Sequence, residues 1–264
     1  MDTSDPANVS SASEKSPVQG TAAVAKGLRL LKLIAKLDSN ARSRDIQQAS
    51  GLPRPTVHRL LNTLEHEGFV ERNPMDGVYV IGRQLLQITQ QARSQHSLPK
   101  RLHATLEAIG SASGETVHLA VPAGCHMTFI DKVESPEAVR MASYIGMPVP
   151  MHSTSVGKAY LAALPLEVRE RYLDQLTLEA VTPRTITDRG RLADELALTA
   201  SRGYSVDDEE NEAGIICFGR AILDPDGTPS SAVSVSVPRY RLPTDGERTI
   251  SSLIARLCEE SGFG

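Results

Sequence analysis

The sequence predicts an α+β chain of two modules, a small helical one followed by a larger mixed one. Three observations predict it. The length of 264 residues is roughly two domains of ordinary size, about 150 residues each. Charge is unevenly spread: residues 21–94 carry 11 Lys/Arg against 6 Asp/Glu, a balance of +5, whereas residues 95–264 carry 16 against 23, a balance of −7. Apolar residues recur at helical spacing in the first part and alternate between helical and strand spacing in the second.

Composition narrows the classes. With 40% hydrophobic residues, each module can bury a core without disulfide or metal staples. Cys125, Cys217 and Cys258 form no CxxC and no zinc-ribbon spacing, which fits reduced thiols and a cytoplasmic location. No apolar run approaches the roughly 20 residues of a bilayer span, so no membrane partner is expected. The absence of Trp, with 4 Phe and 6 Tyr, argues against a base-stacking single-strand binder or a large aromatic pocket. The net charge of −4 argues against nucleic acid only until it is split by module.

Residues 1–20 are Ser-rich with a balance of −2 and are expected to be a disordered tail. From Thr21 to Leu37 a stripe of Val24, Leu28, Leu31, Ile34 and Leu37 predicts a first helix. Ser43 stands where an N-cap belongs, before a short second helix closed by Gly51. After the turn GLPRP a third helix, TVHRLLNTLEHE, carries Val57, Leu60, Leu61 and Leu64 on one stripe and ends at Gly68. FVERNPMDGVYVI then reads as a hairpin. Three helices with a tight turn before the third, then a hairpin, make a winged helix-turn-helix over residues 21–82. Its third helix would present Arg59 and Asn62 to base edges in the major groove, flanked by His58 and Thr56. Arg54 and Thr56 at the helix start, with Arg44 and the wing's Arg72, would meet phosphates. Pro53 and Pro55 are tolerated in a first helical turn but remove an amide donor. The competing reading is a three-helix protein-interaction domain.

Residues 83–98 (RQLLQITQQARSQHSL) are helix-prone and join the modules. In the C-terminal part, LPKRLHATLEAIG, RGRLADELALTASRG and DGERTISSLIARLCEE read as helices. Residues 116–122, MTFIDKV, AGIICFGRAIL and SSAVSVSVP read as strands, the last with Ser on one face and Val on the other. DPDG at 224–227 is a hairpin turn. The sum is a largely antiparallel sheet with flanking helices.

Candidate chemistry here is sparse. MHSTSVGKA lacks both the first Gly and the final hydroxyl of a phosphate loop. Ser155 and Lys158 match SxxK, the spacing of a Lys-activated Ser nucleophile, but no SDN or KTG follows; a hydrolase with an appended DNA-binding domain is the alternative function. The same segment reads better as a loop-to-helix start, with amides over Ser153–Gly157 open to an anion and Lys158 closing onto an acidic neighbour. Asp207–Glu210 could suggest a metal, yet adjacent carboxylates diverge and no His is spaced to join them, so a solvated or capping cluster is expected. No catalytic residue, metal or cofactor is assigned.

GLPRPTVHRLLNTLEHEGFV with GVYVIGRQLLQI resembles the N-terminal module of the IclR-type bacterial transcriptional regulators. GETVHLAV, IGMPVPMHSTSVGKAYLAAL, VDDEENEAGIICFGRAILDPDG and SSAVSVSVP resemble that family's effector domain, in the same order. The likeness runs from about Ala22 to the end. Pro55 departs from it, standing where the family usually has a hydroxyl residue. The resemblance implies a linker helix over 83–98, a GAF-like effector domain over 99–264, and a homodimer or homotetramer on a pseudo-palindromic double-stranded operator. It also implies a pocket lined by Met141, Val149, Ser155, Val156, Asp207, Ile215, Cys217, Ser234 and Ser236. Apolar walls with a few hydroxyls suit a small organic acid.

Overall fold

Helix α1 (Ala22–Leu37) buries Gly27, Leu30, Leu31 and Ile34, a stripe rotated from the expected one. The computed structural model describes residues 21–37, 41–88 and 100–263; the expected tail over 1–20 and residues 89–98 of the expected linker helix lie outside them. Val24 and Leu28 are 64% and 53% exposed. Leu28 lies about 100° around from Gly27, and Gly27 leaves room for Leu60, whose Cδ2 is 4.0 Å from the place of a Cβ. Helix α2 (Ser43–Ser50) starts one residue earlier than Ser43 capping would allow: Arg42 is the N-cap, with no side-chain cap bond, and Ser43 is the first helical residue. Gly51 closes it at φ 64°, the left-handed conformation glycine tolerates best. Helix α3 (Arg54–His66) begins two residues before Thr56, with Pro53 as N-cap and Pro55 inside the first turn.

Strands β1 (Val70–Arg72) and β2 (Tyr79–Ile81) pair antiparallel. Their turn is tied by the Asn73 and Asp76 carboxamide and carboxylate, which accept from Met75 N and Val78 N. The wing is anchored to the segment before α2, since Tyr79 N donates to Ala41 O at 2.8 Å. Leu30, Ile34, Ile46, Val57, Leu61, Val70 and Tyr79 form the shared core. Residues 83–88 are helical.

The chain divides into two units at 97/98. The second holds α4 (Lys100–Ser113), β3 (Thr116–Ala123), β4 (His126–Val133), β5 (Pro148–Pro150), α5 (Ser155–Ala163), α6 (Leu166–Gln175), α7 (Arg189–Arg202), β6 (Ser205–Asp208), β7 (Ile215–Leu223), β8 (Pro229–Pro238) and α8 (Gly246–Glu260). Six strands form one sheet in the order β5-β4-β3-β8-β7-β6, each neighbouring pair antiparallel. The fold is therefore α+β, as the sequence predicts. DPDG makes the β7–β8 turn, Gly227 N donating to Asp224 O at 2.8 Å.

The sheet's two faces differ in chemistry. Val117, Leu119, Ile216, Phe218, Val233, Val235 and Val237 face one way, packed with Leu106 and Ile109 of α4 and Ile250 and Ile254 of α8. The Ser/Val alternation of β8 sends Ser234 and Ser236 the other way. On that side Ala120, Met127, Phe129, Val149 and Ala232 pack with Val156, Leu161, Leu173, Leu192 and Leu196 of α5, α6 and α7.

Candidate functional site

In the N-terminal unit, α3 turns Val57 and Leu61 inward, so its opposite side is free. Arg54, Pro55, His58, Arg59, Asn62, Thr63 and His66 line one open depression there. Asn62 Nδ2 lies 3.3 Å from His58 Nδ1, and Thr63 Oγ1 donates to Arg59 O at 3.0 Å. Arg54, His58, Arg59 and Asn62 are thus gathered on one face. Thr56 is not: it is half-buried, about 40° of helical turn from Leu60. Arg44 is exposed on α2, and Arg72 is exposed on β1 with its guanidinium 5.9 Å from the centre of the Tyr79 ring. Thr63 and His66 were not singled out by sequence; counting 100° per residue from Asn62 places both beside Arg59.

In the second unit the register builds a polar lattice on the inner sheet face. One row runs Asp207, Cys217, Ser236, Thr116 and the next runs Ser205, Gly219, Ser234, His118. All eight are buried. Cys217 Sγ is 3.3 Å from Ser236 Oγ, which in turn reaches Met141 Sδ at 3.4 Å. Ile215 precedes Cys217 with the same strand parity, and Met141, Val149 and Val156 share one apolar cluster. Ser155 opens α5 directly over Gly219: a Cβ on Gly219 would fall 2.8 Å from the Ser155 carbonyl, and Ser205 Oγ donates to Ser155 O at 2.6 Å. Every residue of the expected pocket thus lies on this face or packs against its edge.

Two expectations change here. The amides over Ser153–Gly157 are not all open, because Thr154 is the N-cap of α5 and its hydroxyl accepts from Gly157 N at 3.2 Å. The acidic cluster is not solvated as a whole. Asp207 and Glu210 are buried, while Asp208 and Glu209 reach the surface and pair with Arg184 and Arg239. Asp207 Oδ1 accepts from Glu210 N at 2.7 Å and Asn211 N at 3.2 Å; burial nevertheless pushes its carboxyl up to about 7, opposed by Lys158. Lys158 closes onto an acidic neighbour as expected: fully buried, its Nζ pairs with Glu210 and lies 3.8 Å from Glu195. Its amine is thus engaged by carboxylates. Cys217 is buried in the sheet's inner face, its thiol pushed well up by burial, and Cys125 lies in the β3–β4 turn. His118, inside the lattice, went unread; its shared parity with Thr116 and Ala120 was the available signal.

Comparison with known proteins agrees in both units. Residues 23–74 match the IclR helix-turn-helix domain, and residues 90–260 match the bacterial transcriptional regulator IclR C-terminal domain. The transcriptional repressor IclR of Escherichia coli is 33% identical over 237 residues, 89% of this chain and 86% of the relative. The crystal structure of Thermotoga maritima IclR superposes with a TM-score of 0.78 at 32% identity, covering 90% of this chain and 96% of that one. An IclR homologue of Microbacterium hydrocarbonoxydans complexed with 4-hydroxybenzoate shares the fold, with a TM-score of 0.73 at 24% identity over 90% of this chain and all of the other. Among the described residues no helix is long and apolar enough to cross a membrane. The chain belongs to the IclR family and is a DNA-binding transcriptional regulator with a C-terminal effector domain.

Proposed function

We propose that this regulator binds a pseudo-palindromic operator as a homodimer or homotetramer in the cytoplasm, without enzymatic activity, and that a small organic acid in the second unit changes its DNA affinity. Arg59 and Asn62 read base edges, with His58 beside them; Arg44, Arg54, Thr56 and Arg72 meet phosphates and fix register. The observation that carries the effector half is the buried lattice of Asp207, Cys217, Ser234 and Ser236 beneath the start of α5. A hydroxyl-rich face enclosed by Met141, Val149, Val156 and Ile215 matches a compact acid, with its carboxylate at Ser155 and its body against the apolar walls. That one protein of this fold is complexed with 4-hydroxybenzoate supports a ligand of this class. A bound acid and a bound operator select among conformations of one oligomer, so each changes the affinity of the other by the same factor.

The test pairs DNA binding with ligand. Fluorescence anisotropy on the chain's own upstream intergenic DNA should show tighter binding than random duplex at physiological salt. Arg59→Ala should cost roughly 1–3 kcal/mol and relax preference at one base position. A panel of small carboxylates should contain members that raise the melting temperature and shift the operator affinity together. Equal affinity for operator and random duplex would sink the DNA assignment; acids that leave both melting and DNA binding unmoved would sink the effector assignment.

A further inference from the structure

His118 stands at the end of the second row of the polar lattice, on β3 opposite Ser234, and is fully buried. Its Nε2 lies 2.7 Å from Ser143 Oγ, and its ring stacks on Phe129 with centroids 4.3 Å apart. Its Nδ1 has no hydrogen-bond partner among the described residues. An unmet ring nitrogen in the interior is costly and calls for an account. Burial, aided by the charge of Lys132, holds the imidazole down to about 3. Lys132 itself is fixed nearby, its Nζ donating to Ser143 O at 2.8 Å. The ring is therefore neutral at physiological pH, with one donor and one acceptor nitrogen. Ser143 engages one of them in either sense, since a hydroxyl both gives and takes a hydrogen bond. The other nitrogen is left for something else.

Position says what that is. Gly219, under the first residue of α5, lies two strands from His118 along the same row, about 10 Å at the usual strand spacing. An acid held with its carboxylate at Ser155, as proposed above, would extend along Ser234 toward the imidazole. We propose that His118, oriented by Ser143 and Phe129, is the specificity-determining residue that selects effectors carrying a hydroxyl group remote from the carboxylate, with that hydroxyl bonded to Nδ1. The inference rests on the small-acid reading above. A hydroxyl satisfies Nδ1 in either tautomer. A methyl or hydrogen at that end of the ligand leaves the nitrogen unpaired, and a site built around a buried polar group rejects such an analogue.

Matched acids differing by the hydroxyl alone, 4-hydroxybenzoate with benzoate and 4-hydroxybutyrate with butyrate, test this by calorimetry on the full-length protein. The native protein should bind the hydroxylated member of at least one pair roughly ten- to a hundredfold more tightly. His118→Phe keeps the stack on Phe129 and should bring that ratio to near one while still binding the unhydroxylated acid. His118→Asn places a short amide near the Nδ1 position and should restore part of the preference. Ser143→Ala leaves the imidazole in place but frees the ring, and should lower the ratio even if neither His118 variant folds. A structural role would weaken both members of a pair alike. An unchanged ratio in His118→Phe or, failing its folding, in Ser143→Ala overturns the inference, as does a native protein that binds the acids without preference. In those cases the small-acid reading stands. A native protein that binds none of the four acids overturns the inference, whereas the wider carboxylate panel decides the small-acid reading separately.

Discussion

Asp207 sits where a carboxylate is least welcome, 3% exposed in the sheet's inner face. Burial outweighs the favourable pull of Lys158 and the two amides from Glu210 and Asn211, so the carboxyl rises from 3.8 to about 7. The native state then keeps a proton that the unfolded chain gives up near pH 4. Between about pH 4 and 7 the native state binds more protons, and this residue's contribution to stability is present below pH 4 and lost as pH rises through 7. Asp207→Asn removes the ionisation while keeping an oxygen to accept from Glu210 N. It should gain stability relative to the native protein across that window, by roughly 1–4 kcal/mol at pH 8 compared with pH 4. Because His118 is held neutral and acts in the opposite sense below its ordinary value, the quantity to measure is the difference between the two denaturation curves. Parallel curves from pH 4 to pH 8 would show that Asp207 is not the group responsible.

Helix α5 meets its lead-in loop and the sheet so closely that two glycines set its position. A Cβ on Gly157 would fall 2.3 Å from Met151 O, and one on Gly219 would fall 2.7 Å from Ser205 Oγ and 2.8 Å from the Ser155 carbonyl. Backbone cannot yield as a side-chain tip can, so Gly219→Ala should push α5 off the lattice. The expected cost is about 1–3 kcal/mol, read as a lower melting temperature together with weaker acid binding; an unchanged melting temperature would mean the contact is slack. These contacts were not legible in the sequence, because they depend on which strand lies beneath which helix turn. Other elements were. The helical spacing of α3 tells which side is buried, and the Ser/Val alternation of β8 tells which residues share a face, although both faces are buried. In α1 the leucines at 28, 30, 31 and 33 surround the axis, so spacing alone did not choose between Leu28 and Leu30. In β6 the sequence SVDD has little strand character, so the residues alone do not send Asp207 inward and Asp208 outward; only the family resemblance sets Asp207 in a pocket. The proposed pocket positions come from resemblance; the common face of Asp207, Ile215, Cys217, Ser234 and Ser236 comes from the register of β6, β7 and β8.

At the scale of the whole chain, a net charge of −4 conceals a unit of opposite sign. Salt confines electrostatic effects to about 8 Å under physiological conditions, so DNA responds to the local field around α3 and the wing and not to the sum. The set proposed to meet phosphates then has a countable signature. If Arg44, Arg54 and Arg72 each neutralise a phosphate in both members of a symmetric pair, six counterions are displaced, and the logarithm of affinity should fall with the logarithm of salt at a slope of about −5. Arg44→Ala removes one contact per copy. It should reduce that slope by about 2 while leaving the ranking of operator variants unchanged, because a phosphate carries no sequence information. Arg59→Ala should do the reverse, altering the ranking more than the slope. Anisotropy titrations at several salt concentrations with a small set of operator variants separate the two. If Arg44→Ala changes the ranking and spares the slope, α2 and not α3 alone enters the groove, and the division of labour assigned to this surface is wrong.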